Sequence, residues 1–198
     1  MKSTVLLLLL LAAGSVIAQT RPVDARADKQ PFGVYATAEG AIPFAPEALS
    51  SQYLPGLGGG VWAGLRFRNQ IEVLLGVEFL SFAYDGTLQN AEGGAFKPLL
   101  YTGYVKYYPG PPRRGSMRPF GMAGVGVISL AFNDIRRDGI AIQGRETRAK
   151  PLLGIGGGAD IELSDQTTLT LLGRVVVFEV DDDLGVMVPI AIGFRFAP

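Results

Sequence analysis

The chain has neither cysteine nor histidine in its 198 residues. The first absence excludes a disulfide framework, a thiol nucleophile, a thiolate metal site and a lipid-modified N-terminal cysteine. The second removes the commonest metal ligand and the usual general base near neutral pH, leaving proton transfer to carboxylates, lysine or tyrosine. Charge is scarce too: Asp, Glu, Lys and Arg make up 18% of the chain against 48% apolar residues, where soluble domains carry about 25% charged residues. That shortage points to a lipid-facing protein. Bases and acids are equal at 18 each, so no overall field draws the chain to nucleic acid. Nor is there an apolar run of the ~20 residues that a spanning helix needs. The longest, Val5 to Ala18, has 14.

That run fits an export signal. Lys2 supplies a positive start, Val5 to Ala13 the apolar stretch, and Val16-Ile17-Ala18 a small-residue cleavage site. Residues 1–18 are therefore expected to be a cleaved signal peptide. The polar, aperiodic TRPVDARADKQP that follows makes residues 19–32 a disordered lead-in. Residues 33–196 then form one domain, as the length suggests.

Inside that domain the recurring pattern is alternation at period two, in segments of about ten residues. Eight such strands are read: Gly33–Ile42, Gly58–Arg68, Ile71–Tyr84, Lys97–Tyr108, Pro119–Phe132, Leu152–Leu163, Thr167–Phe178 and Leu184–Phe196. One face carries aliphatics in near-continuous series, as in Val61, Ala63, Leu65 and Phe67, or Val186, Val188, Ile190 and Ile192. The opposite face mixes charges with glycine and alanine, plus Leu74 and Leu172. The fifth strand is apolar or glycine on both sides, so its faces stay unassigned. The connections mostly alternate between short (Asn69-Gln70, Ser164-Asp165-Gln166) and long (Pro43–Leu57, Asp85–Phe96, Asn133–Lys150). An up-and-down meander, with tight turns at one end and loops at the other, produces that pattern.

Which face is wet decides between a soluble barrel and a membrane barrel. The uninterrupted aliphatic face has to be buried or bathed in lipid. The other face is too poor in polar residues to be a water face, and its glycines suit a crowded lumen. An eight-stranded barrel has an interior just wide enough for side chains to fill. The inward charges are read as Glu39, Glu72, Glu78, Asp160 and Glu162 against Arg66, Arg68, Lys106, Arg174 and Arg195, five of each sign. Equal numbers favour a packed ionic network, because a buried charge is costly unless paired. The expected architecture is an all-β, eight-stranded, antiparallel, up-and-down transmembrane β-barrel with a side-chain-filled lumen and no open pore. Phe67, Tyr107, Phe120, Phe194 and Phe196 near the tight-turn end would form an interfacial aromatic girdle.

Gly154, Gly156 and Ala159 in LLGIGGGADIELSD follow the order G-x-G-x-x-A of a dinucleotide turn. Such a turn needs a helix opening onto the pyrophosphate. Here the residues continue as a strand, with Ala159, Ile161 and Leu163 alternating against Asp160 and Glu162. Gly154, Gly156 and Gly158 are read instead as the floor of the lumen, leaving space for arginines such as Arg66 and Arg174.

The order of YTGYVKYYPG (Tyr101 to Gly110), RPFGMAGVGV (Arg118 to Val127), LLGIGGGADIELSD and the closing IAIGFRF (Ile190 to Phe196) resembles the bacterial outer-membrane β-barrel domain family, the small OmpA/OmpX-type barrels. The resemblance implies residence in the bacterial outer membrane with a structural or surface-interaction role. The partners it implies are outer-membrane lipids and lipopolysaccharide, with the barrel-assembly machinery reading Phe194 and Phe196 during biogenesis. A monomer is expected, and Ala197 and Pro198 depart from the family in following the last aromatic. Some such barrels act on lipid A with a histidine, a serine and a carboxylate, and without histidine no enzyme is expected. A secreted or periplasmic barrel holding an apolar ligand is the alternative.

No catalytic residue, cofactor or metal site is assigned. Asp181-Asp182-Asp183 offers the oxygen ligands that calcium prefers, but no ordered ligand spacing surrounds it, so a solvated acidic turn is read. Arg113, Arg114 and Arg118 are read as a basic turn on the periplasmic side. Arg136, Arg137, Arg145, Arg148 and Lys150 form a cationic loop suited to lipopolysaccharide phosphates.

Overall fold

A computed structural model describes residues 32–45, 47–67, 70–85, 92–110, 117–133, 135–137, 140–143, 146–164, 166–180 and 183–197. The expected signal peptide and all but the last residue of the expected lead-in lie outside them, as do Arg68, Arg113, Arg114, Arg145, Asp181 and Asp182. Eight long strands build the fold: β1 (Phe32–Ala45), β2 (Gly56–Phe67), β3 (Ile71–Ala83), β4 (Ala95–Tyr107), β5 (Met117–Phe132), β6 (Glu146–Glu162), β7 (Thr167–Val180) and β8 (Asp183–Phe196). Each pairs antiparallel with its neighbour in sequence, and β8 pairs with β1, so the sheet closes into a barrel. Closure leaves no edge among these strands, and every barrel strand has a ladder on both sides.

The alternation read from the sequence sets the inside and the outside. On β1, Tyr35, Glu39 and Ala41 are buried while Val34, Ala36 and Ala38 are exposed; on β7, Thr168, Thr170, Leu172 and Arg174 are buried while Leu171 and Val175 are exposed. β5 follows the same rule once its partners fix the phase. Met122 lies opposite Gly156 on β6, so Arg118, Phe120, Met122, Ile128 and Leu130 point inward and Val125 and Val127 outward.

One end carries tight connections. Ser164 Oγ accepts hydrogen bonds from the backbone N–H groups of Gln166 (3.3 Å) and Thr167 (3.1 Å), which stops β6 and starts β7. The Tyr108 N–H donates to the Gln70 carbonyl at 2.8 Å, joining two neighbouring turns. At the other end the connections after β1, β3 and β5 are longer, while only two residues separate β7 from β8, with Val180 opposite Asp183. The first carries the six-residue helix α1 (Glu47–Gln52) and then Tyr53, which bridges to Tyr84. The expected loop Asn133–Lys150 is largely sheet instead. β5 and β6 stay paired out to Phe132 opposite Glu146, while β7 leaves β6 after Phe178 opposite Leu152. On this side β6 outruns β7, whereas β4 accompanies β5 as far as Phe96 opposite Phe132; beyond it the short strands Ile135–Arg137 and Ile140–Gln143 pair with each other and Glu92–Gly93 joins them. Arg148 and Lys150 accordingly lie on strand β6, paired with Leu130 and Ile128 of β5.

Candidate functional site

The inward side chains form two layers of different chemistry. Nearest the tight turns lies a polar cluster built around two carboxylates. Glu72 accepts from the Tyr35 hydroxyl (2.8 Å), from Arg195 Nε (3.2 Å) and, at 3.5 Å, from Arg66, and lies 3.0 Å from the Tyr108 hydroxyl oxygen, whose single proton goes to Asp160. Asp160 accepts from Lys106 Nζ (2.9 and 3.0 Å), the Tyr108 hydroxyl (2.6 Å) and the Thr170 hydroxyl (2.8 Å). The Lys106 ammonium also sits 3.8 Å from the centre of the Phe120 ring, a cation–π contact that replaces lost hydration.

The middle of the barrel is organised by Arg174. Its Nη2 donates to Glu39 at 2.7 Å and also to Glu78, and all three side chains are without solvent exposure. Glu78 also accepts from the Thr102 hydroxyl (2.9 Å), to which the Trp62 indole donates at 3.4 Å. Its five N–H groups in a rigid fork suit Arg174 to bridging two carboxylates. Such a buried network is tolerable because each of its charges has an opposite charge beside it.

Above Arg174 the interior becomes apolar. Leu80, Phe82, Phe96, Leu100, Ile128 and Phe178 are each at most 3% exposed, and Phe96 stacks on Phe82 (5.4 Å between ring centres) and Phe132 (4.9 Å). Tyr53 closes this layer from the loop side, with its ring 5.8 Å from Tyr84. Burial, with Tyr84 beside it, pushes the Tyr53 phenol up to about 12, so it stays neutral there.

The glycines of LLGIGGGADIELSD make this packing possible. A Cβ on Gly156 would come within 2.7 Å of Arg174 Cβ and strike the Gly173 carbonyl oxygen. One on Gly154 would strike the Tyr104 side chain, its Cε1 at 2.7 Å. The expected room for Arg174 is thus present at Gly156, while the atoms nearest Gly154 and Gly158 belong to Tyr104, Leu171 and Phe120 rather than to Arg66. The tightest demand of this kind for Arg195 falls on Gly33, whose Cβ would lie 2.6 Å from its Nε.

Several residues depart from the sequence reading. Phe120 is 6% exposed and lies in the lumen against Tyr108, whereas Phe67, Tyr107, Phe194 and Phe196 of the expected girdle do face outward. Arg118 belongs to no exposed turn. It is the second residue of β5, 8% exposed, with its guanidinium carbon 3.8 Å from the Tyr108 ring centre. Both departures have one cause: with apolar side chains or glycine on both faces, β5 shows its phase only through its pairing with β4 and β6. Glu162 has the inward phase but is exposed, because β6 ends there beyond the polar cluster. Lys150 is paired with Glu179 at 3.3 Å. Tyr35 and Tyr104 join the network from the inward phase of β1 and β4, and Tyr108 continues that phase just past the end of β4; this phase is the signal for them in the sequence.

Outside, the barrel is apolar. Leu75, Ile155 and Ile190 at mid-strand are 64%, 64% and 63% exposed, while Lys106, Arg174 and Glu72 inside are 1%, 2% and 0% exposed. Among the described residues no three His, Cys, Asp or Glu side chains group as a metal site, and no helix is long and apolar enough to cross a membrane.

This is the inside-out polarity of an outer-membrane-type barrel, and solved structures of that class share the fold. Neisserial surface protein A superimposes with a TM-score of 0.62 at 14% identity, covering 84% of this chain and 96% of that one. The outer membrane protein OprG from Pseudomonas aeruginosa gives 0.55 at 14% identity, covering 85% and 97%. Ail, the attachment invasion locus protein of Yersinia pestis, gives 0.52 at 14% identity, covering 83% and 97%. At such identities the likeness concerns the fold alone. No protein-family model matches the chain, and no curated protein matches it.

Proposed function

We propose that the protein is an integral barrel of the bacterial outer membrane, exported by a cleaved signal peptide, with a structural or surface-interaction role, a closed lumen and no enzymatic activity. The observation that carries this reading is the reversal of polarity: exposed aliphatics at mid-strand around a buried ionic network. In water such a surface would aggregate. In lipid it is the required one, since a closed barrel satisfies every backbone group internally. The dimensions agree. From Leu184 to Phe196 the outward residues of β8 span twelve steps. At about 3.4 Å per residue and a tilt of about 40° these make a band roughly 31 Å tall, against an apolar band of about 25 Å flanked by aromatic girdles.

Phe194 and Phe196 face outward at the end of the last strand, 42% and 51% exposed, where the barrel-assembly machinery would read them. The cations Arg136, Arg137, Arg145, Arg148 and Lys150 of the segment expected as the Asn133–Lys150 loop suit lipopolysaccharide phosphates. Neutralising them together is expected to weaken binding to lipopolysaccharide, and unchanged binding would overturn that assignment. The main reading is tested by fractionation with a gel comparison of boiled and unboiled samples. A heat-dependent shift in band position and resistance to carbonate extraction are expected. A carbonate-extractable protein would instead favour a soluble barrel with an apolar ligand.

A further inference from the structure

The change from the polar to the apolar layer is abrupt. On each of four strands the next inward position switches chemistry: Glu39 gives way to Ala41, Glu78 to Leu80, Thr102 to Leu100 and Arg174 to Val176, all buried. Building on the closed-lumen reading, we propose that the barrier to ion passage lies in the apolar layer at the loop end, and that the ion-paired layer below it is a polar vestibule with no sealing role of its own.

An ion in the lower layer meets groups that can replace its water: Thr102, the Tyr104 hydroxyl, and the carboxylates and guanidinium of the Arg174 cluster. Arg66, at the tight-turn end, keeps 16% of its side chain in solvent, so the outer edge of this layer touches water while the Arg174 cluster deeper in does not. Two residues further up, an ion meets Leu80, Leu100, Ile128 and the stacked Phe82 and Phe96, each 1% exposed or less and drawn from three adjacent strands. Phe178 and Met187, at 3% and 1%, close the opposite wall. Among the described residues every buried charged side chain lies at the level of the Arg174 cluster or nearer the tight turns. Stripping an ion of water with no ligand in exchange is prohibitive, and apolar constrictions close pores by expelling water. Loosening the ion pairs would therefore wet the vestibule and leave the seal intact.

The full barrel is reconstituted in planar bilayers, with folding of each variant verified by the heat-dependent gel shift. The neutral variant Glu39→Gln/Glu78→Gln/Arg174→Gln is expected to remain as silent as the unmodified protein. Phe82→Ser/Phe96→Ser/Phe178→Ser is expected to open discrete current steps at least tenfold more often. If that triple variant does not fold, Phe96→Ser takes its place, and Phe96→Leu, which keeps the layer apolar, is expected to stay silent. Steps from the neutral variant, or silence from a folded serine variant, would overturn the proposal. Steps from the unmodified protein would overturn the closed-lumen reading itself.

Discussion

Arg174→Gln is the most informative single change in the barrel. Arg174 is the cation that joins Glu39 to Glu78, and the three side chains have no solvent exposure. Its Nη1 also donates to the Tyr104 hydroxyl at 3.4 Å, and its guanidinium lies 5.2 Å from the Trp62 ring. Glutamine leaves the two carboxylates facing one another without a countercharge. Breaking a buried pair from one side costs about 3–5 kcal/mol, because the remaining charge stays desolvated. Replacing the whole set with Glu39→Gln/Glu78→Gln/Arg174→Gln removes every charge, so no uncompensated buried charge remains and only neutral amides have to find hydrogen-bond partners. The expected order is therefore unusual: three substitutions destabilise less than one. Urea titrations of barrels folded in lipid vesicles, read by the fraction running at the folded position on a gel, give both numbers. A loss below about 1 kcal/mol for Arg174→Gln, or a triple variant at least as damaged as the single one, would refute the claim that the pairing holds these charges inside.

Much of the fold was legible because two constraints act on the same alternation. A barrel strand has to present aliphatics to lipid and fill a narrow lumen, so Leu75 and Ile190 separate cleanly from Glu72 and Arg195 even in a bare sequence. The inward set of Glu39, Glu72, Glu78, Asp160, Lys106, Arg174 and Arg195 followed from that phase, and all seven are buried. The same logic failed on β5, where Gly124 and Gly126 sit on the inward face and Gly121 and Ala123 on the outward one. Small residues on both faces erase the contrast, so Phe120 and Arg118 could be placed only after the β5–β6 register was known. The layering of the lumen was hidden for a different reason. Phase says which residues point inward but not their height, and height depends on the stagger between strands. Leu80, Leu100, Ile128 and Phe178 are spread across the sequence, and pairing with their neighbours brings them to one level.

Three further outcomes follow from the same geometry. Ile190→Arg, at mid-belt and 63% exposed, is expected to lower barrel stability in lipid by about 2–4 kcal/mol, whereas Phe196→Arg at the rim costs at most about 1 kcal/mol; equal losses in vesicle urea titrations would contradict a lipid-facing belt. Lys150→Gln/Glu179→Gln removes an ion pair whose side chains are 26% and 46% exposed, so no more than about 1 kcal/mol is at stake, and a larger shift in the same titration would show that the pair does more than decorate the rim. The third outcome separates two glycines that look alike in LLGIGGGADIELSD. The three atoms nearest a methyl group on Gly154 all belong to the Tyr104 side chain, while on Gly156 the nearest is the Gly173 carbonyl oxygen, followed by Arg174. Gly154→Ala should thus cost about 1–3 kcal/mol by overpacking, and adding Tyr104→Leu should recover most of that loss by emptying the space. Gly156→Ala should find no such rescue, since backbone cannot be trimmed, and Gly156→Leu should block folding. Measured as a double-mutant cycle, no coupling between positions 154 and 104 would mean that these glycines serve something other than the packing of the lumen.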